Sequence, residues 1–182
     1  VNSGAKYHAL LSLRFDRTHS GRRIHFASAM TLLGLSDGCD AKTGNGYLDI
    51  VDFILQHCCD VSENLSQLFR RVAFNMAIGN SDDHFRNHGF VLTSRGWTLS
   101  PAYDMNPTLN NCQSLLINSY TNDASLQILQ DSCGEYMIAK NEAYTIIEEV
   151  RQGVRQWETL AISLGISKRE RNMFAQVYNK TI

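Results

Sequence analysis

The chain has 182 residues, a length that fits one domain or one lobe of a larger one. Apolar residues make up 43% and charged residues 19%, as in ordinary globular proteins, and the formal net charge is −1. That charge gives no broad attraction to nucleic acid or to anionic membranes. No apolar run reaches the roughly 18–20 residues of a membrane helix. Five cysteines without zinc-ligand spacing predict reduced thiols in a cytoplasmic protein.

The first part of the chain alternates short elements. Residues 9–15 (ALLSLRF) predict a strand, and residues 26–33, with apolar residues at helical spacing and Gly34 behind them, predict a helix. A loop rich in glycine and aspartate leads to a second predicted helix over residues 47–57. Its predicted buried face consists of Leu48, Val51, Ile54 and Leu55.

The next helix has the clearest pattern in the sequence. Ser62 is a candidate N-cap, and Gly79 followed by Asn80 supplies left-handed residues that end the helix. Apolar side chains recur every three or four positions between them: Leu65, Leu68, Phe69, Val72 and Met76. A polar loop follows, and residues 89–92 and 97–100 then predict a β-hairpin with its turn at residues 93–96.

The last third of the chain is predicted to be helical. Residues 143–164 carry one apolar stripe that Gly165 ends, and Ser167 with Glu170 forms a capping box for a final helix. No repeat and no linker divides the chain, so residues 1–182 are expected to form one domain. The predicted fold is mainly α (α+β overall), a helical body that carries a small β-hairpin.

The residues with chemical potential are concentrated in residues 79–106. After the buried helix, a loop offers Asp82, Asp83, His84 and Asn87, and the hairpin leads to a second loop with Asp104. Transfer of a phosphoryl group from ATP needs a carboxylate that orients the attacking hydroxyl, and an amide oxygen and a second carboxylate that hold Mg²⁺. Asp82 and Asn87 are separated as the aspartate and asparagine of the kinase catalytic loop are.

Other interpretations of these residues remain open. Loops rich in aspartate and asparagine commonly serve only as caps and turns. A nuclease or phosphatase metal site could use Asp82, Asp83, His84 and Asp104, whereas the acidic spacing does not match a calcium loop. Within the phosphotransfer interpretation, His84 is expected to tie the loop together by hydrogen bonds, and Asp83 to brace it.

Three segments of the sequence resemble the C-terminal portion of proteins of the HipA family. These proteins are serine/threonine kinases of bacterial toxin–antitoxin systems. The segments are IGNSDDHFRNHGF, GWTLSPAYDMNPT, and RFDR followed by GRRIHFASAMTLLGL. The resemblance implies a protein-kinase-like C-terminal lobe, with Asp82 as catalytic base and with Asn87 and Asp104 as ligands of Mg²⁺. The order DDHFRN also looks like the loop of aminoglycoside-type phosphotransferases. A small-molecule phosphotransferase is therefore a second hypothesis.

The same resemblance implies partners and a missing part. It implies ATP and Mg²⁺ as cofactors, a HipB-like DNA-binding antitoxin as partner, and a protein of the translation machinery as a candidate substrate, without direct nucleic-acid binding. No glycine-rich loop precedes residues 9–15, and Lys6 lacks a visible glutamate partner. Residues 1–20 are therefore expected to be the last strands of an N-terminal lobe, and this chain alone is expected to be inactive. The rival hypothesis is a degenerate, non-catalytic kinase module that binds a regulatory partner.

Overall fold

The computed structural model describes residues 11–108 and 112–181, which form a helical body with one small antiparallel sheet. Short 3₁₀ helices lie at Ala41–Thr43 and Cys133–Tyr136. None of the helices in the described ranges is long and apolar enough to cross a bilayer. The strands are β1 (Phe26–Ser28), β2 (Gly89–Thr93) and β3 (Gly96–Leu99). The helices are α1 (Ala29–Leu32), α2 (Tyr47–His57), α3 (Val61–Ile78), α4 (Leu126–Asp131), α5 (Lys140–Arg155), α6 (Trp157–Ser163) and α7 (Lys168–Thr181).

Helix α3 lies at the centre of the helical body and packs against α2, α5 and α7. Its predicted apolar stripe is confirmed, because Leu68, Phe69 and Val72 are fully buried and Leu65 and Met76 are 3% exposed. Each such side chain contributes about 1.5–3 kcal/mol to the free energy of unfolding. The stripe therefore holds the C-terminal end of α3, and the loop that follows it, in a fixed place.

The predicted hairpin is confirmed, but the sheet has a third strand. The order is β1-β2-β3, with Ala27 opposite Phe90 and Phe90 opposite Leu99. The predicted helix over residues 26–33 is wrong in its first three residues, which form β1 and cover the outer edge of β2. An uncovered edge would leave the backbone groups of β2 unpaired, and this pairing outweighs the helical spacing of the sequence.

Two other predicted elements differ in the structure. Residues 9 and 10 lie outside the described ranges, but residues 11–14 form no regular element, so the predicted strand is wrong there. Leu11 and Leu13 are 78% and 89% exposed, so burial does not hold this stretch as a strand. The predicted helix over residues 143–164 is broken at Gln156 into α5 and α6, and Leu160 and Leu164 are exposed rather than buried.

The end of α3 gives a first test of the packing. Gly79 has φ 67°, and a Cβ on it would lie 2.3 Å from Cγ1 of Val177 on α7. We expect Gly79→Ala to lower the free energy of unfolding by about 1–2 kcal/mol from backbone strain, plus the cost of displacing α7. Gly165→Ala is the matched control in urea denaturation, because Gly165 has φ 74° but open space around it. Equal losses in the two variants would contradict the packing of α7 on Gly79.

Candidate functional site

The start of the loop after α3 is anchored by hydrogen bonds to two later segments of the chain, at Thr108 and at Ser114. The backbone oxygen of Gly79 accepts hydrogen bonds from the backbone nitrogen and the hydroxyl of Thr108, at 2.9 and 3.0 Å. The same hydroxyl accepts from the backbone nitrogen of Ser81 at 2.8 Å. The backbone oxygen of Ser81 accepts from the nitrogen and the hydroxyl of Ser114. The residues that follow Ser81 therefore begin from a fixed backbone.

Asp83 lies in a buried hydrogen-bond network. Its Oδ2 accepts from the hydroxyl of Tyr47 at 2.7 Å, from Nδ2 of Asn75 at 2.7 Å and from Nε2 of His88 at 2.9 Å. Burial works to raise the pKa of the Asp83 carboxyl, but the interaction with His88 and the three hydrogen bonds outweigh it, so that the pKa lies below its usual value. Burial, followed by the charge of Asp83, raises the pKa of Tyr47 well above its usual value, so its hydroxyl keeps the proton that it donates.

Asp82 and Asn87 lie at the two ends of the same loop. Asp82 is exposed, whereas Asn87 is 8% exposed. Nδ2 of Asn87 donates to the backbone oxygen of Asp82 at 3.2 Å, and its backbone nitrogen donates to the oxygen of His84 at 2.8 Å. Because Nδ2 is engaged inside the loop, Oδ1 is the atom of the Asn87 amide that remains for a cation.

The second loop, which carries Asp104, is tied to the first. The hydroxyl of Tyr103 donates to the backbone oxygen of Arg86 at 2.6 Å, and burial raises the pKa of Tyr103 to about 12, so this donor keeps its proton. Nδ2 of Asn80 also reaches the backbone oxygen of Asp104 at 3.5 Å. The Tyr103 hydrogen bond joins the residue before Asp104 to the residue before Asn87, so the structure brings the two loops together.

Asp104 itself is exposed and has a left-handed backbone. Its φ is 57°, a left-handed value that aspartate adopts more readily than most residues other than glycine. Oδ1 of Asp104 accepts a hydrogen bond from Nδ2 of Asn106 at 2.7 Å, which orients the carboxylate. A carboxylate and an amide oxygen on adjoining loops are ligands of the kind that Mg²⁺ accepts together with water and phosphate oxygens. The donor set therefore fits a magnesium ion.

His84 occupies a different environment from the one expected. Within residues 11–108 and 112–181 its side chain makes no hydrogen bond, and its Nδ1 is buried without a partner. The hydrogen bonds that tie the loop together come instead from His88 and Asn87. Asp83 accepts hydrogen bonds from His88 within the loop and from Tyr47 and Asn75 outside it. Its carboxylate is directed to the buried network, which leaves it poorly placed for a metal.

The alternative metal site, which would use Asp82, Asp83, His84 and Asp104, receives no support from the geometry. Across the part of the chain that the structure describes, no three histidine, cysteine, aspartate or glutamate side chains group closely enough to hold a metal ion. This search concerns clusters of those four residue types and does not bear on a pair formed by Asn87 and Asp104.

A cavity of about 360 Å³ lies beside the paired loops. Its lining includes Arg86 and Tyr103, the two residues whose hydrogen bond joins the loops, together with Phe15 and Phe26. The ring of Phe15 stacks on Tyr103 with centroids 5.9 Å apart and meets Phe26 edge-on at 5.5 Å. Arg86 is held at this cavity by a short ion pair with Asp37. The volume lies within the usual range for small-molecule sites.

Several residues of the site were not found from the sequence. Tyr47, Asn75, His88 and Tyr103 form the hydrogen bonds that hold the two loops, and Tyr47 lies 36 positions before its partner Asp83. A tyrosine at the start of an amphipathic helix gives no sign that its hydroxyl will be buried. His88 and Tyr103 could have been suspected, because each directly follows or precedes a proposed metal ligand.

The comparisons with known proteins agree with these observations. The profile of the family described as HipA-like C-terminal domain matches residues 1–157. Two bacterial proteins are 30% identical to the chain: one named "Putative kinase" from Haemophilus influenzae, over 105 residues, and one named "Putative kinase Y4dM" from Sinorhizobium fredii, over 102 residues. These matches cover 54% and 56% of this chain, and 31% and 24% of the relatives. The matched part is therefore less than a third of either relative.

A solved structure shows the same fold. The HipA protein of Shewanella oneidensis, determined in a complex with HipB and operator DNA, matches with a TM-score of 0.71 and 18% sequence identity. The superposition covers 92% of this chain and 46% of the HipA chain. The helical body, the three-stranded sheet and the family match over residues 1–157 lead to one conclusion. The chain belongs to the family of HipA-like C-terminal domains.

Proposed function

We propose that this chain is the ATP- and Mg²⁺-handling part of a kinase with a protein-kinase-like C-terminal lobe, which transfers a phosphoryl group to a serine or threonine hydroxyl of a protein. The observation that carries the proposal is the hydrogen bond from Tyr103 to Arg86, which joins the loop of Asn87 to the loop of Asp104 beside a cavity of about 360 Å³. The kinase names of the two relatives support the same class of reaction.

Each of the three proposed site residues has a distinct role in this proposal. Asp82, exposed at the start of the loop, orients the acceptor hydroxyl and takes its proton as the oxygen attacks the γ-phosphorus and ADP leaves. Asn87, through Oδ1, and Asp104, through its carboxylate, would hold a magnesium ion. When bound, that ion supplies positive charge against the triphosphate. Arg86 and the aromatic side chains of the cavity would contact the nucleotide and exclude water from it.

The partner is proposed from the structural relative. The Shewanella oneidensis HipA is described in a complex with HipB and operator DNA. We infer a HipB-like DNA-binding antitoxin as the partner of the protein that contains this domain, and a protein of the translation machinery as a candidate acceptor. The net charge of −1 favours contact with DNA through such a partner rather than directly.

The test is magnesium-dependent binding of ATP, measured by calorimetry on the whole protein. We expect the whole protein to bind ATP in the presence of Mg²⁺. Asp104→Ala should weaken this binding at least about tenfold, because one of two protein ligands of the ion is removed. Asp123→Ala, which removes another exposed carboxylate, is the matched control and should bind as the unaltered protein does. Folded protein that binds no ATP would reject the kinase proposal.

A further inference from the structure

The buried contact between Asp83 and His88 adjoins both ends of the proposed catalytic loop. Their side chains are 2.9 Å apart, and each is 2% exposed, so neither is open to a substrate. Asp83 directly follows Asp82, and His88 directly follows Asn87. We propose that Asp83 and His88 are a positioning pair, which sets the separation between the proposed base Asp82 and the proposed magnesium ligand Asn87. This inference rests on the proposed function.

The two members of the pair are anchored to different parts of the fold. Asp83 is held to the helical body, because it accepts hydrogen bonds from Tyr47 at the start of α2 and from Asn75 in α3. His88 is held where the sheet begins, because β2 starts at the next residue and the backbone oxygen of His88 accepts from the nitrogen of Ala29, the residue after β1, at 2.7 Å. The bond between Asp83 and His88 therefore fixes the distance between the two anchors of the loop.

The loop has weaker means of keeping this distance without the pair. Nδ2 of Asn87 reaches the backbone oxygen of Asp82 at 3.2 Å, a longer contact made by the proposed ligand itself. If the Asp83–His88 bond is lost, the hydrogen bond from Nδ2 of Asn87 to Asp82 is the side-chain contact within the loop that still orients Oδ1 of Asn87. Outer residues that orient a metal ligand commonly change metal affinity or activity about 10–100-fold when they are removed.

Three variants of the whole protein separate a positioning role from general structural support. His88→Phe keeps a ring of similar size but removes the donor to Asp83. His88→Gln keeps an amide nitrogen that can reach Asp83. Tyr47→Phe removes a hydrogen bond to the same oxygen of Asp83, but one that comes from α2 rather than from within the loop. The measurement is ATP turnover as a function of Mg²⁺ concentration, at equal amounts of folded protein.

We expect His88→Phe to raise the Mg²⁺ concentration for half-maximal turnover about tenfold or more and to lower kcat. For His88→Gln, the shift in the Mg²⁺ concentration for half-maximal turnover should be at most half of the shift in His88→Phe, on a logarithmic scale. Tyr47→Phe should shift that concentration less than about threefold. Both hydrogen-bond deletions should lower stability, so a purely structural role predicts equal shifts for His88→Phe and Tyr47→Phe. Equal shifts would overturn the inference while leaving the proposed function intact.

Two further outcomes are decided in advance. If His88→Phe does not fold, His88→Asn takes its place, because the amide of the shorter asparagine does not reach Asp83. His88→Asn should then need more Mg²⁺ for half-maximal turnover than His88→Gln does. A wild-type protein that turns over ATP without any dependence on Mg²⁺ overturns the inference together with the proposed function. The two failures are thus distinguished by the behaviour of the unaltered protein.

Discussion

Replacing Asp82 with asparagine is expected to lower the rate of phosphoryl transfer about 10²–10⁴-fold and to leave ATP affinity within about twofold. An amide cannot accept the proton of the acceptor hydroxyl, but it keeps the shape of the side chain. The fold should be unaffected, because the side chain of Asp82 is exposed and Asn87 binds the backbone oxygen of Asp82, which the substitution does not change. Transfer of labelled phosphate from ATP, catalysed by the whole protein, provides the measurement.

The matched control for this variant is Asp131→Asn, which makes the same change at an exposed position on α4 and should keep full activity. Unchanged transfer in Asp82→Asn would exclude Asp82 as the base. A loss of ATP affinity without a change in kcat would instead assign Asp82 to nucleotide or metal binding.

Asp83→Ala is expected to lower the free energy of unfolding by about 3–5 kcal/mol, because three buried hydrogen-bond donors lose their acceptor. The substitution leaves the donors of Tyr47, Asn75 and His88 buried without their acceptor. The neighbouring Asp82→Ala removes an exposed carboxylate from the same loop and should change stability by less than about 0.5 kcal/mol. Urea denaturation followed by circular dichroism compares the two. Similar losses would show that the buried network does not stabilise the fold.

The same carboxylate predicts how stability depends on pH. The pKa of Asp83 is lower in the folded protein than in the unfolded chain, where it is about 3.9. The folded state therefore binds this proton less readily, so the stabilisation from Asp83 is fully present above pH 4 and is lost as the pH falls through the folded pKa. We expect Asp83→Asn to flatten the fall in stability below pH 4 in urea titrations. An unchanged acid slope would contradict the lowered pKa.

The helices that bury a continuous stripe could be predicted from the sequence. The bounds of α2 match the prediction over residues 47–57, and the stripe of α3 is buried at each predicted position. The face of α2 was less accurate, because Ile50 and Phe53 are buried whereas Leu55 is 43% exposed. In a helix with apolar residues on several sides, the neighbouring elements decide which side is buried.

Structure that depends on a distant partner could not be predicted in the same way. Residues 26–28 form β1 because β2, more than 60 positions later, offers them an edge. The break between α5 and α6 falls at Gln156, three residues after Gly153, and the apolar stripe continues past it, so the periodicity alone predicts one helix. For the site, residue types and spacing indicate Asp82, Asn87 and Asp104. The residues that hold them, above all Tyr47 and Tyr103, become visible only when the chain is folded.

The length and register of the hairpin of β2 and β3 set the spacing between the two loops of the site. Its open end joins the loop of Asn87 to the loop of Asp104, while its turn, Ser94 and Arg95, is exposed. A residue inserted within either strand would move every later side chain to the other face and shift Asp104 relative to Asn87. A residue inserted at the turn would lengthen the far end and disturb the exposed ion pair of Arg95 with Asp60, but it would leave the open end of the hairpin unchanged. The turn is thus the place where a reporter peptide can be inserted without changing the spacing of the site.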